Sequence, residues 1–268
     1  MTLSIAQACR GVLLTASPRA KVMAARKVAR LWRQGALGHA FDVEMPARPA
    51  RPDQPELLPP NRMPKRGRAG SERSRIALLH ALAHIEFGAI DLAFDMAGRF
   101  GAAFPRSFVD DWLSVGADEA LHFALLDRRL RSLGAAYGAL PAHDGLWEAA
   151  AETAHDAGAR LAVVPMVLEA RGLDVTPATL ASFERAGDPR SAVILNRIYH
   201  DEIRHVAIGT AWFKTWCESR NLDPAPEWRC LIRRHFRGIV KPPFNDSARG
   251  EAGLSREFYA EVAPNEAA

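Results

Sequence analysis

The chain has 268 residues, of which 48% are hydrophobic, and this composition favours a globular protein with one large core or two small ones. Its three cysteines, Cys9, Cys217 and Cys230, lie far apart, so the sequence indicates neither a disulfide framework nor a zinc ribbon and favours a reducing, cytoplasmic location. No 18 apolar residues run together and Arg10 interrupts the first apolar stretch, so we expect neither secretion nor a membrane span.

The net charge of +4 conceals an asymmetry along the chain. Residues 1–70 contain 13 Lys/Arg and 4 Asp/Glu, whereas the remainder is mildly acidic. A basic segment of this kind can attract nucleic acid or another polyanion. The alternative is a solvated basic face with no such partner.

The N-terminal part of the sequence predicts a helical segment followed by an extended connector. Residues 4–37 carry apolar residues at helical spacing, which predicts one or two helices that end near Gly35. Residues 41–70 are rich in proline, which forbids a regular helix and suits a strap over the surface.

Four longer helices are predicted after Ser71. The first runs from Ser71 to about Arg99 and the second from about Ser107 to Leu133, and together they should form an antiparallel hairpin. The third is predicted from about Leu146 to Arg171, with a kink from Pro165 and a stop at Gly172.

Beyond Gly172 the sequence predicts that a new helix begins and that an irregular tail ends the chain. Asp174 or Thr176 should cap a short helix to Ala186, before the fourth long helix at about residues 189–220. A last helix is predicted near residues 227–236. The predicted organisation is therefore a helical segment at 1–40, a Pro-rich connector at 41–70, a four-helix bundle at 71–220, and a helix with an irregular tail at 221–268.

Two segments share the pattern Asp-Glu-x-x-His, at Asp118–His122 and at Asp201–His205. Residues three apart share one face of a helix, so the Glu and His of each segment can bind the same metal ion. Chance alone would give about 0.03 matches to this pattern in a chain of this composition, so two matches are a specific signal.

Each pattern is preceded by a glutamate at the same distance. Glu86 lies 33 residues before Glu119, and Glu169 lies 33 residues before Glu202. The first interval turns at the Gly101–Pro105 break, which places both carboxylates at a similar height in a hairpin. The whole set then repeats with an offset of 83 residues.

This arrangement is typical of a carboxylate-bridged two-metal centre inside a four-helix bundle, where two helices give one Glu each and two give Glu-x-x-His. The predicted ligands are Glu86, Glu119, His122, Glu169, Glu202 and His205. Four carboxylates and two imidazoles suit two iron ions, with manganese or another divalent metal as the alternative, and the absence of thiolates argues against structural zinc. The alternative interpretation, six solvated side chains, conflicts with the apolar neighbours of Glu86 and Glu169.

Other polar residues near these ligands have predicted supporting roles. Asp118 and Asp201 are candidates to accept the outer N–H group of a ligand histidine. Tyr199 is the candidate catalytic side chain, because it precedes Glu202 by three residues, although a core tyrosine is the alternative. His80 and His84 are interpreted as core or surface histidines and His143 as a residue that fixes a loop.

The sequence resembles an uncharacterised, mainly bacterial ferritin-like family, known as domain of unknown function 455. The resemblance lies in five stretches: residues 80–86, 118–122, 141–148, 168–174 and 201–205. The layout is also distantly similar to that of bacterial tRNA hydroxylases, which use a di-iron centre and oxygen to hydroxylate a modified base. That similarity implies a fold and a metal site, and it does not identify a substrate.

The fold class predicted from these patterns is all-α: a ferritin-like four-helix bundle with an extra N-terminal helix, a strap and a C-terminal helix. The predicted function is a non-haem di-iron, or di-manganese, oxidoreductase that hydroxylates a small molecule or a tRNA base with electrons from an unidentified donor. The alternatives are a peroxidase or catalase-like enzyme and an iron-binding protein without turnover. The sequence does not determine the oligomeric state, and a homodimer is one possibility.

Overall fold

The computed structural model describes residues 2–64 and 69–263 and is all-α, with no strand in those ranges. This confirms the predicted fold class. The chain divides into two compact units, Met1–Trp147 and Glu148–Ala268. The finer division into four segments that the sequence suggests stays a prediction.

The first unit is built from two short helices and a long helical hairpin. Ser4 caps the first helix by accepting the N–H of Gln7, and Ser71 caps the long third helix by accepting the N–H of Ser74. The helices are α1 (Ile5–Leu13), α2 (Pro18–Arg33), α3 (Glu72–Phe100) and α4 (Arg106–Ser132), with α5 (Gly145–Glu152) beginning near the end of the unit. The predicted helices at 4–37, 71–99 and 107–133 are thereby confirmed to within a few residues.

α3 and α4 pack closely along their length. A Cβ atom added at Gly116 of α4 would lie 2.6 Å from the ring of Phe94 on α3, so the absence of a side chain allows this approach. The short 3-10 turn Gly101–Ala103 joins the two helices. The hairpin is the frame of the first unit, and α1 and α2 pack against it.

The connector before α3 is a strap, as its prolines predict. Within residues 41–64 the one regular element is the 3-10 turn Pro60–Arg62. The strap is held by its backbone: the carbonyl of Pro46 accepts from Arg99, and the N–H of Leu58 donates to the carbonyl of Ala142. Residues 65–68 of the predicted connector lie outside the described residues.

The second unit contains the remaining helices. Asp156 caps its first complete helix, and Asp188 caps its longest one by accepting the N–H of Ser191. The helices are α6 (Ala157–Val163), a π-helical segment (Val164–Glu169), α7 (Ala170–Arg185), α8 (Pro189–Glu218), α9 (Pro224–His235), α10 (Asp246–Glu251) and α11 (Arg256–Tyr259).

The prediction for the third helix was wrong at two places. The helix is interrupted at residues 153–156, where the Asp156 carboxylate accepts the N–H of Ala159 and starts a new helix. It then continues through Gly172 to Arg185 instead of stopping. The predicted cap Asp174 is buried, and its carboxylate binds the guanidinium of Arg249 at 2.7 and 2.8 Å, so a tertiary partner occupies the oxygens that a cap would need.

The C-terminal tail is more regular than predicted. The last predicted helix is present as α9, and α10 and α11 follow it in a stretch that we expected to be irregular. Asn245 accounts for α10, because its side chain accepts the N–H of Ala248. Residues 264–268 lie outside the described residues.

One helical stretch, Glu72–Ala103, is long and apolar enough to cross a membrane by length and composition. Of its most apolar window, 61% is buried within the fold. A buried core helix meets the same criteria as a membrane span.

A buried ion pair joins α2 to α3. Lys21 and Asp91 are both inaccessible to solvent and their charged groups are in contact, and Arg51 of the strap binds the same carboxylate at 2.7 Å. Burial raises the pKa of Asp91 to about 6, against the opposing charges of Lys21 and Arg51. Desolvation is therefore the larger effect, and the pair fixes the position of α2 and the strap more than it adds net stability.

We expect Asp91→Ala to lower the free energy of unfolding by about 3–5 kcal/mol, because it leaves the Lys21 ammonium buried without its carboxylate. The double variant Lys21→Met/Asp91→Leu should cost less than the single one, since it removes both charges. Urea unfolding followed by circular dichroism measures both values. The control, Arg131→Ala, removes an exposed ion pair with Asp127 and should change stability by about 0.5 kcal/mol or less. A double variant that is less stable than Asp91→Ala would contradict the interpretation.

Candidate metal centre

The first unit brings together three of the six predicted ligands. Glu86 lies on α3, and Glu119 and His122 lie one turn apart on α4. One ligand atom from each lies within 4.8 Å of the others. All three residues are at most 4% exposed.

A single ring nitrogen of His122 faces both carboxylates of this set. Its Nδ1 lies 3.1 Å from Glu86 Oε2 and 3.4 Å from Glu119 Oε2. Burial alone would lower the pKa of His122, but the hydrogen bonds and charges of Glu119 and Glu86 outweigh burial and raise it to about 11. The carboxylates thus favour a positive charge at this nitrogen, and a metal ion that binds there takes the place of the proton.

The second unit carries the other three predicted ligands. Glu202 and His205 lie one turn apart on α8, and His205 Nδ1 lies 3.4 Å from Glu202 Oε1. This spacing and the nitrogen involved are the same as for Glu119 and His122. Glu169 is the last residue of the π-helical segment, which packs against α8. The two Glu-x-x-His patterns therefore have matched local geometry.

The π-helical segment is the feature of this site that the sequence did not predict. Pro165 lies within it, and a proline has no N–H group to donate to the backbone hydrogen bonds of a helix, so we expected a kink there. The structure instead widens the helix for one turn, an irregularity that is frequent at functional sites. The widened turn ends at Glu169, one of the six predicted ligands.

Gly209 on α8 allows the widened turn to approach. A Cβ atom added at Gly209 would lie 2.3 Å from Cβ of Pro165, closer than real contacts allow. Gly209 lies one turn after His205 on the same helix. The glycine therefore sets the distance between the π-helical segment and the helix that carries Glu202 and His205.

The residues with predicted supporting roles lie close to the predicted ligands in the chain, and Asp201 and Tyr199 each accept a hydrogen bond from another residue. Asp201 accepts a hydrogen bond of 2.6 Å from Arg197 one turn earlier, and Asp118 is half-buried on α4. The hydroxyl of Tyr199 accepts a hydrogen bond of 2.9 Å from Asn245. Their roles towards a ligand histidine or in catalysis stay predictions.

His80, His84 and His143, which are not predicted ligands, hold a loop. His80 Nε2 accepts the N–H groups of Gly138 and Leu140, and His84 lies between the Tyr137 hydroxyl and the His143 carbonyl. His80 and His84 are both buried, which agrees with their interpretation as core histidines.

The fold and these side chains define a class: an all-α protein with two Glu-x-x-His helices. The pattern on α4 lies beside the buried Glu86, and α8 packs against the π-helical segment that ends at Glu169. The chain belongs to the family described as protein of unknown function (DUF455), whose model matches residues 14–260. It is similar to an uncharacterized protein of Haemophilus influenzae, 42% identical over 211 residues that cover 76% of this chain and 73% of the relative. No solved structure matches the chain. The predicted family is confirmed, and the similarity to tRNA hydroxylases stays a prediction.

We expect Gly209→Ala to destabilise the protein by about 1–3 kcal/mol, because the new methyl group would force Pro165 away from α8. The matched control is Gly172→Ala, a helical glycine of the adjacent α7 whose added Cβ would meet nothing within 4 Å. That control should gain up to about 1 kcal/mol from helix propensity. Unfolding midpoints in urea measure both variants. Equal stability of the two alanine variants would show that the approach of Pro165 does not constrain α8.

Proposed function

We propose that the chain is a non-haem di-metal carboxylate oxidoreductase that uses two iron ions, with manganese as the alternative. The Glu86 set and the Glu169 set would together hold the two ions. One observation supports this above the others: both Glu-x-x-His patterns place His Nδ1 3.4 Å from the carboxylate of their own glutamate. A pair of equivalent half-sites is what a symmetric two-metal centre requires.

The chemistry of the donor set fits such ions. Carboxylate oxygen and imidazole nitrogen are the donors that iron and manganese prefer in helical bundles. Glu119 is 1% exposed and His205 is inaccessible. Buried carboxylates carry a large desolvation cost, and divalent cations offset it.

Iron held by these ligands would supply the capacity to activate dioxygen for the hydroxylation of an organic substrate. The residues of the chain would orient the ions, keep bulk water away and hold the protons of the histidines. Peroxidase or catalase-like activity is the alternative with the same ligands. Metal binding without turnover is the alternative from a different class.

The basic helix α2 supports a polyanionic substrate such as tRNA. It contains no acidic residue, and its exposed cations are Arg19, Arg26, Lys27, Arg30 and Arg33. None of these five makes an ion pair within residues 2–64 and 69–263. Four of them line a groove of about 700 Å³ beside α4, whose other wall includes Asp110 and Asp118. Unpaired cations in a row suit the phosphates of a nucleic acid.

We expect Glu86→Ala and His205→Ala each to lower the metal content and the thermal stability of the protein, because bound ions stabilise the folded state. Elemental analysis after loading with ferrous iron should give about two ions per wild-type chain. The control is Glu148→Ala, which removes an exposed glutamate from α5 and should leave both readouts unchanged.

Electron paramagnetic resonance of the oxidised protein separates one centre from two independent ones. A coupled ferric pair is silent, whereas isolated high-spin ferric ions give a signal. Wild-type protein that binds two ions and shows a strong signal from both would overturn the shared centre.

We expect the ferrous protein to consume oxygen when a reductant is supplied, and to consume more when total tRNA is added. The double variant Arg26→Glu/Arg30→Glu should lose the tRNA-dependent part while binding as much iron as the wild type. An oxygen electrode, with mass spectrometry of the digested tRNA for an added oxygen atom, measures both effects.

Each other outcome identifies a competing function. Rapid loss of peroxide without oxygen consumption would indicate the catalase-like alternative. Stoichiometric iron with neither activity would indicate binding without turnover and would refute the enzyme. Oxygen consumption that does not change when tRNA is added would support the oxidoreductase proposal and exclude tRNA as its substrate.

A further inference from the structure

A second cavity lies within the first unit, on a different face of α3 from Glu86. Its volume is about 390 Å³, which is within the range of small-molecule sites. It is walled by α3, by the strap at Arg51, Met63 and Pro64, and by the loop of residues 140–146.

The spacing of the α3 residues separates this cavity from the candidate metal ligands. Ala77, His80, Ala81 and His84 line it, and they recur every three or four residues along one face of the helix. At about 100° per residue, Glu86 is about 180° away from the centre of that face. No residue of α4, which carries Glu119 and His122, lines the cavity among the described residues.

The walls are apolar and partly open to solvent. Ile85 is 44% exposed, and Met63, Ile76, Leu140 and Leu146 are half-buried around the same space. Apolar surface gathered in a concave site is unfavourable in water and favours the binding of an apolar body.

Internal hydrogen bonds hold the shape of the cavity. The Nε2–H of His84 donates to the carbonyl of His143 at 3.2 Å, so its Nδ1 accepts the Tyr137 hydroxyl at 2.9 Å. Burial, together with the charge of Arg51, lowers the pKa of His84 to about 4, in agreement with this neutral form. The loop is also tied to the strap by the hydrogen bonds of Ala142 with Glu56 and Leu58. The cavity is therefore preformed.

The polar groups that remain available at the cavity are donors. His143 Nδ1 accepts the N–H of Gly145, which leaves the proton of its neutral ring on Nε2. Arg51 is occupied within the fold, because its two terminal nitrogens bind Asp91 and Asp144 and its Nε is inaccessible to solvent. Arg73 is exposed at the rim and forms no ion pair within the described residues.

The acidic groups of the lining are accounted for elsewhere. Asp144 binds Arg51 at 3.1 Å, and Glu72 lies in the first turn of α3, where the helix dipole favours a negative charge. The available hydrogen-bonding capacity thus favours an acceptor with negative charge. We propose that this cavity binds a small amphiphilic acid, with an apolar body against Ile76, Ile85 and Leu146 and its acidic group near Arg73 and His143.

The test uses the full chain and 1-anilinonaphthalene-8-sulfonate, a fluorescent probe with an aromatic body and one sulfonate. We expect saturable binding of one probe per chain and its displacement by decanoate. The neutral analogue 1-decanol should displace it about tenfold less well, because it lacks the charge that Arg73 recognises.

Two variants locate the binding. Ala81→Trp should fill the cavity and weaken probe binding by about tenfold or more, and Arg73→Ala should remove the preference for decanoate over decanol. The matched control is Val193→Trp, which adds the same ring at a residue of α8 that is 70% exposed and should leave binding unchanged.

Three results would overturn the proposal: an unchanged affinity in folded Ala81→Trp, equal displacement by decanoate and decanol, or probe fluorescence that never saturates. If Ala81→Trp does not fold, Arg73→Ala decides, because an exposed side chain can be removed with little effect on the fold. The test uses no metal, so its outcome is independent of the proposed oxidoreductase activity.

Discussion

The free-energy cost of removing carboxylates from water constrains how the first unit packs. α3 is apolar along most of its length, and yet it carries three carboxylates that are at most 4% exposed, Glu86, Asp91 and Asp95. Such a helix can be buried only if each charge finds a cation or a proton. The groups that face them come from different parts of the chain: His122 of α4, Lys21 of α2, Arg51 of the strap and Arg99 of α3 itself.

These contacts connect stability to the candidate site. The ion pairs of Asp91 fix α2 and the strap, and these two elements carry most of the basic residues of the chain's first part. Asp95 binds Arg99, which also donates to the carbonyl of Pro46 and so holds the strap. Glu86 differs from these two, because its neighbours are a second glutamate and a histidine. A set with two carboxylates for one imidazole attracts further positive charge, as the proposed metal centre requires.

The second unit meets the same constraint in another way. Asp174 is neutralised by Arg249, and this ion pair ties α7 to α10. Glu169 lies at the end of a widened helical turn, and Gly209 allows that turn to lie against α8. Irregular helix geometry next to a candidate ligand costs stability, and proteins commonly retain it where function requires it.

α3 contributes to the two proposed sites through different faces. One face presents Glu86 to α4, and another forms a wall of the amphiphilic cavity through residues such as Ala81 and His84. The stretch of residues 141–148, which the Glu-x-x-His patterns do not involve, supplies the opposite wall of that cavity. Two of the five stretches that carry the family resemblance, residues 80–86 and 141–148, therefore meet at the cavity, although only the first contains a predicted metal ligand.

Several features of this protein could be predicted from the sequence alone, because they depend on residues close together in the chain. Helical periodicity predicted α2, α3 and α4, proline content predicted the strap, and Glu-x-x-His spacing brought Glu119 and His122 onto one face, because each of these depends on neighbours in the chain. Tertiary structure decided what depends on distant partners. Arg249 binds the Asp174 carboxylate that was predicted to cap a new helix, and α7 runs through Gly172. Lys21 and Arg51 bind Asp91, and Pro165 packs against Gly209 at the π-helical turn. None of these pairings has a signal in the local sequence, because the fold and not the neighbours in the chain decides which side chains meet.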